Sequence, residues 1–235
     1  MILAETPAGL DAAEARSILK EVEGEKRLGQ RIARVSLYFL GRPYVVAPLE
    51  GSPTSHEVFK VSLDGFDCVT YVETVLALAQ SRTLDEFIEA MRLMRYEGGE
   101  IDWHRRNHYM LDWARNNEAR GIIRDLTEGA RSVEKRKTLG VVGGLARKEV
   151  TFRYFPKRSL PHVLTLIETG DLILFASTRK LLDVFHTGLL IKNDEMIILR
   201  HAARAAGAVI EQDLTSFLGA HRMSGMILLR PICQK

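Results

Sequence analysis

Hydrophobic positions in the first half of the chain recur at helical spacing, whereas in the second half they gather into short β-type runs. Residues 11–40, rich in Ala, Glu, Arg and Leu, predict one or two helices closed by Gly41-Arg42-Pro43. An extended stretch follows from Tyr44 to about Leu63, punctuated by Gly51, Ser52 and Pro53. Val69, Val72, Leu76 and Ala79 then mark one face of a helix that starts near Cys68 and ends near Ser81. A second amphipathic helix begins at Asp85-Glu86 and runs to about Tyr96, where Gly98-Gly99 stops it; Asn107 to Asn116 predicts a further short one. Beyond Gly121 the runs Gly121–Leu126, Val150–Phe155, Asp171–Phe175, Val184–Ile191, Met196–Arg200, Ala208–Ile210 and Met226–Leu229 predict strands. Lys135-Arg136-Lys137 beside Glu134 reads as a solvated face. Helices first and an antiparallel sheet afterwards predict an α+β fold in one domain, helical over about 1–120 and β-rich over about 121–235.

Composition narrows the function classes. A chain of 235 residues with 46% hydrophobic content can bury one substantial core. The net charge of +3 comes from 33 basic and 30 acidic residues, which gives no electrostatic footprint for nucleic acid. No stretch is apolar enough to span a bilayer, because Glu73 interrupts the best run, Val69 to Ala79. The opening Met-Ile-Leu-Ala-Glu-Thr lacks the basic and apolar regions of a secretory signal. The expectation is a cytoplasmic protein, or a periplasmic or secreted one from which an export signal has been removed; a monomer is expected. Two cysteines make no disulfide framework, and Cys233 is read as incidental.

Cys68 is the chemically interesting thiol. Gly65 breaks the preceding run, Asp67 is a good N-cap, and Phe66 can staple onto Tyr71. The unpaired N–H groups of a helix start favour thiolate. Asp67 opposes them with its own charge, so a base is needed.

The base is sought in the hairpin around Lys192-Asn193-Asp194-Glu195. A two-residue Asn-Asp turn pairs Lys192 with Glu195 and puts His186 directly opposite His201 on one sheet face. One imidazole would take the thiol proton while the other held its tautomer. Spacing alone leaves a plainer alternative open, in which the two are unrelated strand residues. Zinc held by two histidines and one cysteine is weaker, for want of a second close-spaced ligand pair; no metal or cofactor is expected.

The stretches Gly41-Arg42-Pro43-Tyr44, Phe66-Asp67-Cys68-Val69-Thr70-Tyr71-Val72-Glu73, Arg95-Tyr96, Arg106-Asn107-His108-Tyr109, Asp112-Trp113, Gly170-Asp171, Leu182 to Gly188 and His201-Ala202-Ala203 lie in one order over residues 40–230. In this they resemble the NlpC-type branch of papain-like cysteine peptidases, and more closely its N-acetylmuramoyl-L-alanine amidase subfamily. The resemblance implies a papain-like NlpC-type fold, with the Cys68 helix packed on a mainly antiparallel sheet or barrel. It also implies a bacterial source, Cys68 as nucleophile, His186 as general base and His201 as the orienting third member. Tyr44 and Asp67 would line the catalytic centre. The chain departs from the pattern at Ser62-Leu63, where Asn-Leu is expected, and at His201-Ala202-Ala203, where His-Ala-Ser is usual.

The implied reaction is hydrolysis, through a thioester, of the amide between N-acetylmuramic or anhydro-muramic acid and L-alanine in peptidoglycan fragments. Arg106, His108, Tyr109, Asp112 and Trp113 are the candidates for gripping the muropeptide, since arginines suit its carboxylates and aromatic rings its sugar faces. The competing reading of Tyr109 and Trp113, at i and i+4, is that they pack a helix on the core. Glu73 reads either as a buried partner of an arginine or as a catalytic acid. Two alternatives share the chemistry: a γ-D-glutamyl-diaminopimelate endopeptidase, and an acyltransferase that resolves the thioester with an amine or alcohol.

Overall fold

The structure, a computed structural model, describes residues 6–193 and 196–233. Its elements follow the chain as α1 (Ala12–Val22), α2 (Leu28–Leu37), α3 (Cys68–Gln80), α4 (Leu84–Arg95), α5 (Met110–Ala119), β1 (Ile123–Asp125), β2 (Val133–Leu139), β3 (Lys148–Tyr154), α6 (Leu160–Leu166), β4 (Leu172–Ala176), β5 (Val184–Lys192), β6 (Ile197–Ala203), β7 (Ala208–Asp213), α7 (Leu214–Ala220) and β8 (Gly225–Pro231). Six strands form one antiparallel sheet in the order β1-β8-β4-β5-β6-β7, and β2 with β3 forms a separate hairpin. The α+β architecture is therefore as the sequence predicts.

Alternation along the strands divides the core in two. Leu172, Leu174, Leu189, Ala202 and Val209 face the helical layer, where they meet α3 and the residues around it. Ile173, Phe175, Leu190 and Leu199 point the other way, onto Phe217 and Leu218 of α7 and Val163 of α6. Helix α3 runs through the middle of the helical layer. Every residue from Thr70 to Ala79 is buried, which is why its sequence is apolar on almost all sides rather than on one stripe.

Two features depart from the sequence reading. The charged run Lys135-Arg136-Lys137 lies in β2, which pairs with β3 from Val133↔Tyr154 to Leu139↔Lys148. Its residues alternate between half-buried and exposed, so a charge-rich strand carries no apolar signal. The His hairpin also has a different register. Lys192 pairs with Ile197 and Leu189 with Arg200, because Asn193 rather than Lys192 closes the loop, donating its N–H to the Met196 carbonyl at 3.1 Å. The turn position Asp194 and the expected pairing residue Glu195 lie outside the described residues. The slip from the predicted register is two residues, so every side chain keeps its face.

The outer edge of β7 is covered by the segment after α2. Gly41 donates to the Val209 carbonyl at 2.9 Å, Val209 to the Arg42 carbonyl at 2.9 Å, and Tyr44 to the Gly207 carbonyl at 2.8 Å. On its other side the same segment pairs with the residues before α3. Phe66 donates to the Pro43 carbonyl at 3.0 Å and Val45 to the Phe66 carbonyl at 2.9 Å. Tyr44 is thereby fixed between the sheet edge and the start of the Cys68 helix.

Candidate active site

The start of α3 is organised by Asp67. Its carboxylate accepts the N–H of Val69 at 3.1 Å and of Thr70 at 2.8 Å, while Thr70 Oγ1 accepts the Asp67 N–H at 3.0 Å. This reciprocal cap satisfies two of the helix's first donors. It leaves the N–H of Cys68 itself, which faces its own sulfur.

Where the sulfur sits follows from the sheet. The β5–β6 ladder ends at Leu189↔Arg200. Leu190 exchanges hydrogen bonds toward the β4 side, donating to Asp171 and accepting from Gly170. By alternation Thr187 directs its N–H toward β6, where the ladder has stopped, and there it meets the Cys68 sulfur instead. The thiol thus enters the sheet at a split between two strands, beside the residue that follows His186.

The histidines meet across that split. His186 Nε2 lies 2.6 Å from His201 Nδ1, with the rings edge-on at 78°. Gly188 makes this contact geometrically possible. The register continued past Leu189 sets Gly188 opposite His201, and a Cβ on Gly188 would lie 2.9 Å from His201 Cβ and 2.7 Å from Leu199 Cδ1. Without one, the His201 ring leans along the strand to reach His186. Phe217 flanks both rings, at 5.6 Å and 5.5 Å between centroids, and itself stacks on His221 at 4.1 Å.

All three groups rest in their neutral forms near neutral pH. Burial, then the neighbouring Asp67 charge, pushes the Cys68 thiol up to about 12, against backbone N–H groups that favour the thiolate. The helix start therefore does not prevail. Burial, then repulsion of its charged form by His201 and by His221, takes His186 down to about 3. His201 falls to about 4, from burial and from His221. The Tyr44 hydroxyl is raised by burial and then by the negative charges of Cys68 and Asp67 in its neighbourhood.

The structure thus sets Asp67 and Tyr44 near Cys68 at the start of α3, whose thiol feels the backbone N–H of Thr187, and it bonds His186 to His201. The other five candidates sit elsewhere. Arg106 pairs with Glu57 at 3.0 Å, and Glu57 also accepts from Tyr96 at 2.8 Å. His108 donates Nε2–H to the Trp103 carbonyl at 2.7 Å, and Asp112 pairs with Lys148 at 2.5 Å. Tyr109 is buried in the core, its hydroxyl accepting from Val142 N–H at 3.3 Å. Arg106, His108, Tyr109 and Asp112 line a cleft of about 420 Å³ to which neither Cys68 nor the histidines contribute. Trp113 is wholly buried and donates Nε1–H to Glu73 at 3.2 Å. Glu73 is a buried ion-pair partner of Arg95 at 2.9 Å.

Thr187, Gly188, Phe217, His221 and Gln212 belong to the site's surroundings and escape the sequence reading. The signal for Gly188 was a glycine two residues after the candidate base, in a strand that otherwise has bulky residues. Among the described residues no group of three or more His, Cys, Asp or Glu is arranged to hold a metal ion, and no helix is long and apolar enough to cross a membrane.

Comparisons with known proteins bear on this geometry. A family model described as AmiA-like, N-acetylmuramoyl-L-alanine amidase-like, matches residues 34–226. A Legionella pneumophila protein of the family model DUF1460 superposes with a TM-score of 0.82 at 22% identity, over 95% of this chain and 96% of that one. At that identity it speaks to the fold alone. An N-acetylmuramoyl-L-alanine amidase from Bacteroides uniformis gives a TM-score of 0.76 at 26% identity, over 87% of this chain and 98% of that one. A putative xylanase from Bacteroides fragilis gives 0.74 at 27% identity, over 83% and 98%. No curated protein sequence matches the chain.

Proposed function

We propose a mechanism from one premise: the chain belongs to the AmiA-like, N-acetylmuramoyl-L-alanine amidase-like family, which makes it at family level a peptidoglycan amidase. In our reading it is a papain-like, NlpC-type hydrolase that uses Cys68, His186 and His201 to cut the amide between N-acetylmuramic or anhydro-muramic acid and L-alanine. What supports this reading is the histidine pair bonded at 2.6 Å, carried on the strand whose next residue, Thr187, turns its backbone N–H to favour the Cys68 thiolate.

With Nε2 of His186 engaged by His201, its Nδ1 is the nitrogen left for the thiol. Because both partners rest neutral, no thiolate–imidazolium pair awaits the substrate. Proton transfer from Cys68 to His186 accompanies attack on the lactyl carbonyl, and the imidazolium is steadied by His201. The oxyanion then has two donors within reach, the N–H of Cys68 and the Tyr44 hydroxyl. The N–H groups of Val69 and Thr70 are occupied by Asp67 and do not serve. His186 returns its proton to the departing L-alanine nitrogen, a thioester remains, and water activated by the same imidazole releases the muramic acid.

Incubation with defined disaccharide-peptide and anhydro-muramoyl-peptide fragments, followed by mass spectrometry, tests this. The expected product is a stem peptide with a free L-alanine N-terminus, absent with Cys68→Ser. Cleavage between D-glutamate and the diamino acid would instead assign the chain to the endopeptidases. Stem peptide appearing while added amines capture the muramoyl group would make it an acyltransferase.

A further inference from the structure

His201 is 3% exposed, and its Nε2 is buried with no hydrogen-bond partner among the described residues. That atom's state is constrained by the other end of the ring. His186 keeps Nδ1 free of a proton to act as base, so its neutral form carries the proton on Nε2 and donates it to His201 Nδ1. His201 Nδ1 is then an acceptor, and the single proton of a neutral His201 sits on Nε2. A buried N–H donor without an acceptor costs free energy on the scale of a lost hydrogen bond.

The adjacent strand offers one acceptor in the right place. β7 pairs with β6 with Ile210 opposite His201 and Gln212 opposite Leu199. Gln212 is therefore on the same sheet face as His201, at the diagonal position within reach of long side chains. It lines the same cavity of about 290 Å³ as His186, His201, Phe217 and His221. The carboxylates beside it are occupied elsewhere: Glu211 binds Arg200 at 2.5 Å, and Asp213 caps α7 through Ser216 N–H at 2.6 Å.

We infer that Gln212 is a positioning residue, whose side-chain oxygen closes on His201 Nε2–H, fixes the tautomer of His201 and through it the orientation of His186. The relay then reads Cys68, His186, His201, Gln212, with only the first two touching the scissile amide. The inference rests on the reading of Cys68 and His186 given above. Consistent with it, the Gln212 side chain acts to hold the His201 pKa up against burial and His221. His186 from β5, Gln212 from β7, and Phe217 and His221 from α7 and its end act on His201, and Arg204 lines the same cavity.

The test uses the full chain and the variants Gln212→Leu and Gln212→Glu, with folding checked by circular dichroism. Long-range ¹H–¹⁵N spectra of histidine-labelled protein report the tautomer directly. The wild type should show His201 protonated at Nε2, and Gln212→Leu a mixture of tautomers. On muropeptide, Gln212→Leu should lose roughly 10–100-fold in kcat, by analogy with the outer partners that orient metal-bound histidines, with KM unchanged. Gln212→Glu, which keeps an acceptor, should restore the single tautomer and move the acid limb of the pH profile upward, since a carboxylate favours the imidazolium. A wild-type His201 protonated at Nδ1 overturns the inference, as does Gln212→Leu with an undisturbed tautomer and full kcat. Failure of the hydrolase reading is separate: it shows as wild-type protein inert toward muropeptides, and the spectra decide the role of Gln212 regardless.

Discussion

Replacing Gly188 by alanine tests the site's geometry most directly. The added methyl would find Leu199 Cδ1 at 2.7 Å, His201 Cβ at 2.9 Å and the Arg200 carbonyl oxygen at 3.0 Å. All are well inside ordinary contact distance. The Leu199 methyl can swing aside, but the Arg200 oxygen is backbone, and His201 is attached one bond from its own backbone. Overpacking of this kind costs about 1–3 kcal/mol. For a chain of this size about 2 kcal/mol corresponds to a fall in Tm of roughly 4–8 °C. The second consequence is chemical. His201 shifts away from Gly188, and the 2.6 Å contact with His186 lengthens beyond good hydrogen-bond range. Thermal unfolding measured beside kcat on muropeptide should therefore show a modest loss of stability with a loss of rate of tenfold or more, the scale of about 1.4 kcal/mol in the barrier. The backbone at Gly188 is not in the left-handed region, so the effect is packing rather than torsional strain. Gly188→Ala with unchanged Tm and unchanged kcat would refute the argument that His201 reaches His186 over a missing side chain.

Other outcomes follow from the same coordinates. Glu73→Leu strands Arg95 as a buried unpaired cation, so urea unfolding should show a loss of about 3–5 kcal/mol; folded protein with kcat abolished would instead make Glu73 catalytic. Asp67→Asn removes the charge that raises the Cys68 thiol, so in a Cys233→Ser background the pH midpoint of iodoacetamide alkylation should move down; a midpoint that stays put contradicts the assignment. Both His186 and His201 have folded pKa values below that of an unfolded histidine, so the unfolded state binds more protons as pH falls. Their contribution is complete above pH ~6.5 and declines toward pH 4, by about 2 kcal/mol per residue at pH 5. Urea midpoints across that window should fall, less steeply in a variant with both histidines replaced by glutamine.

The sequence made much of the helical half readable because α1, α3 and α4 carry strong caps: Asp11, Asp67 and Thr83 each accept first-turn N–H groups. It also made the shared face of His186 and His201 readable, since face depends only on parity, and a slip of two residues preserves parity. The register itself was not readable, because a slip of two residues leaves the same apolar side chains on the same face. Nor was β2, whose alternation is of charges rather than apolar groups. Between Arg106 and Trp113 the sequence leaves recognition and packing both open, because aromatic and basic residues serve either equally well. Only three-dimensional placement shows Trp113 donating to Glu73 inside the core and Arg106 committed to Glu57.

The strip from Gly41 to Tyr44 does two jobs at once. By occupying the open side of β7 it denies that strand to a second molecule, and by the same bonds it fixes Tyr44 next to the segment that leads into α3. Changes that free the strip's backbone uncover an unpaired border of the sheet and should surface as insolubility before they can be assayed as lost turnover, whereas Tyr44→Phe keeps those bonds and removes the hydroxyl alone.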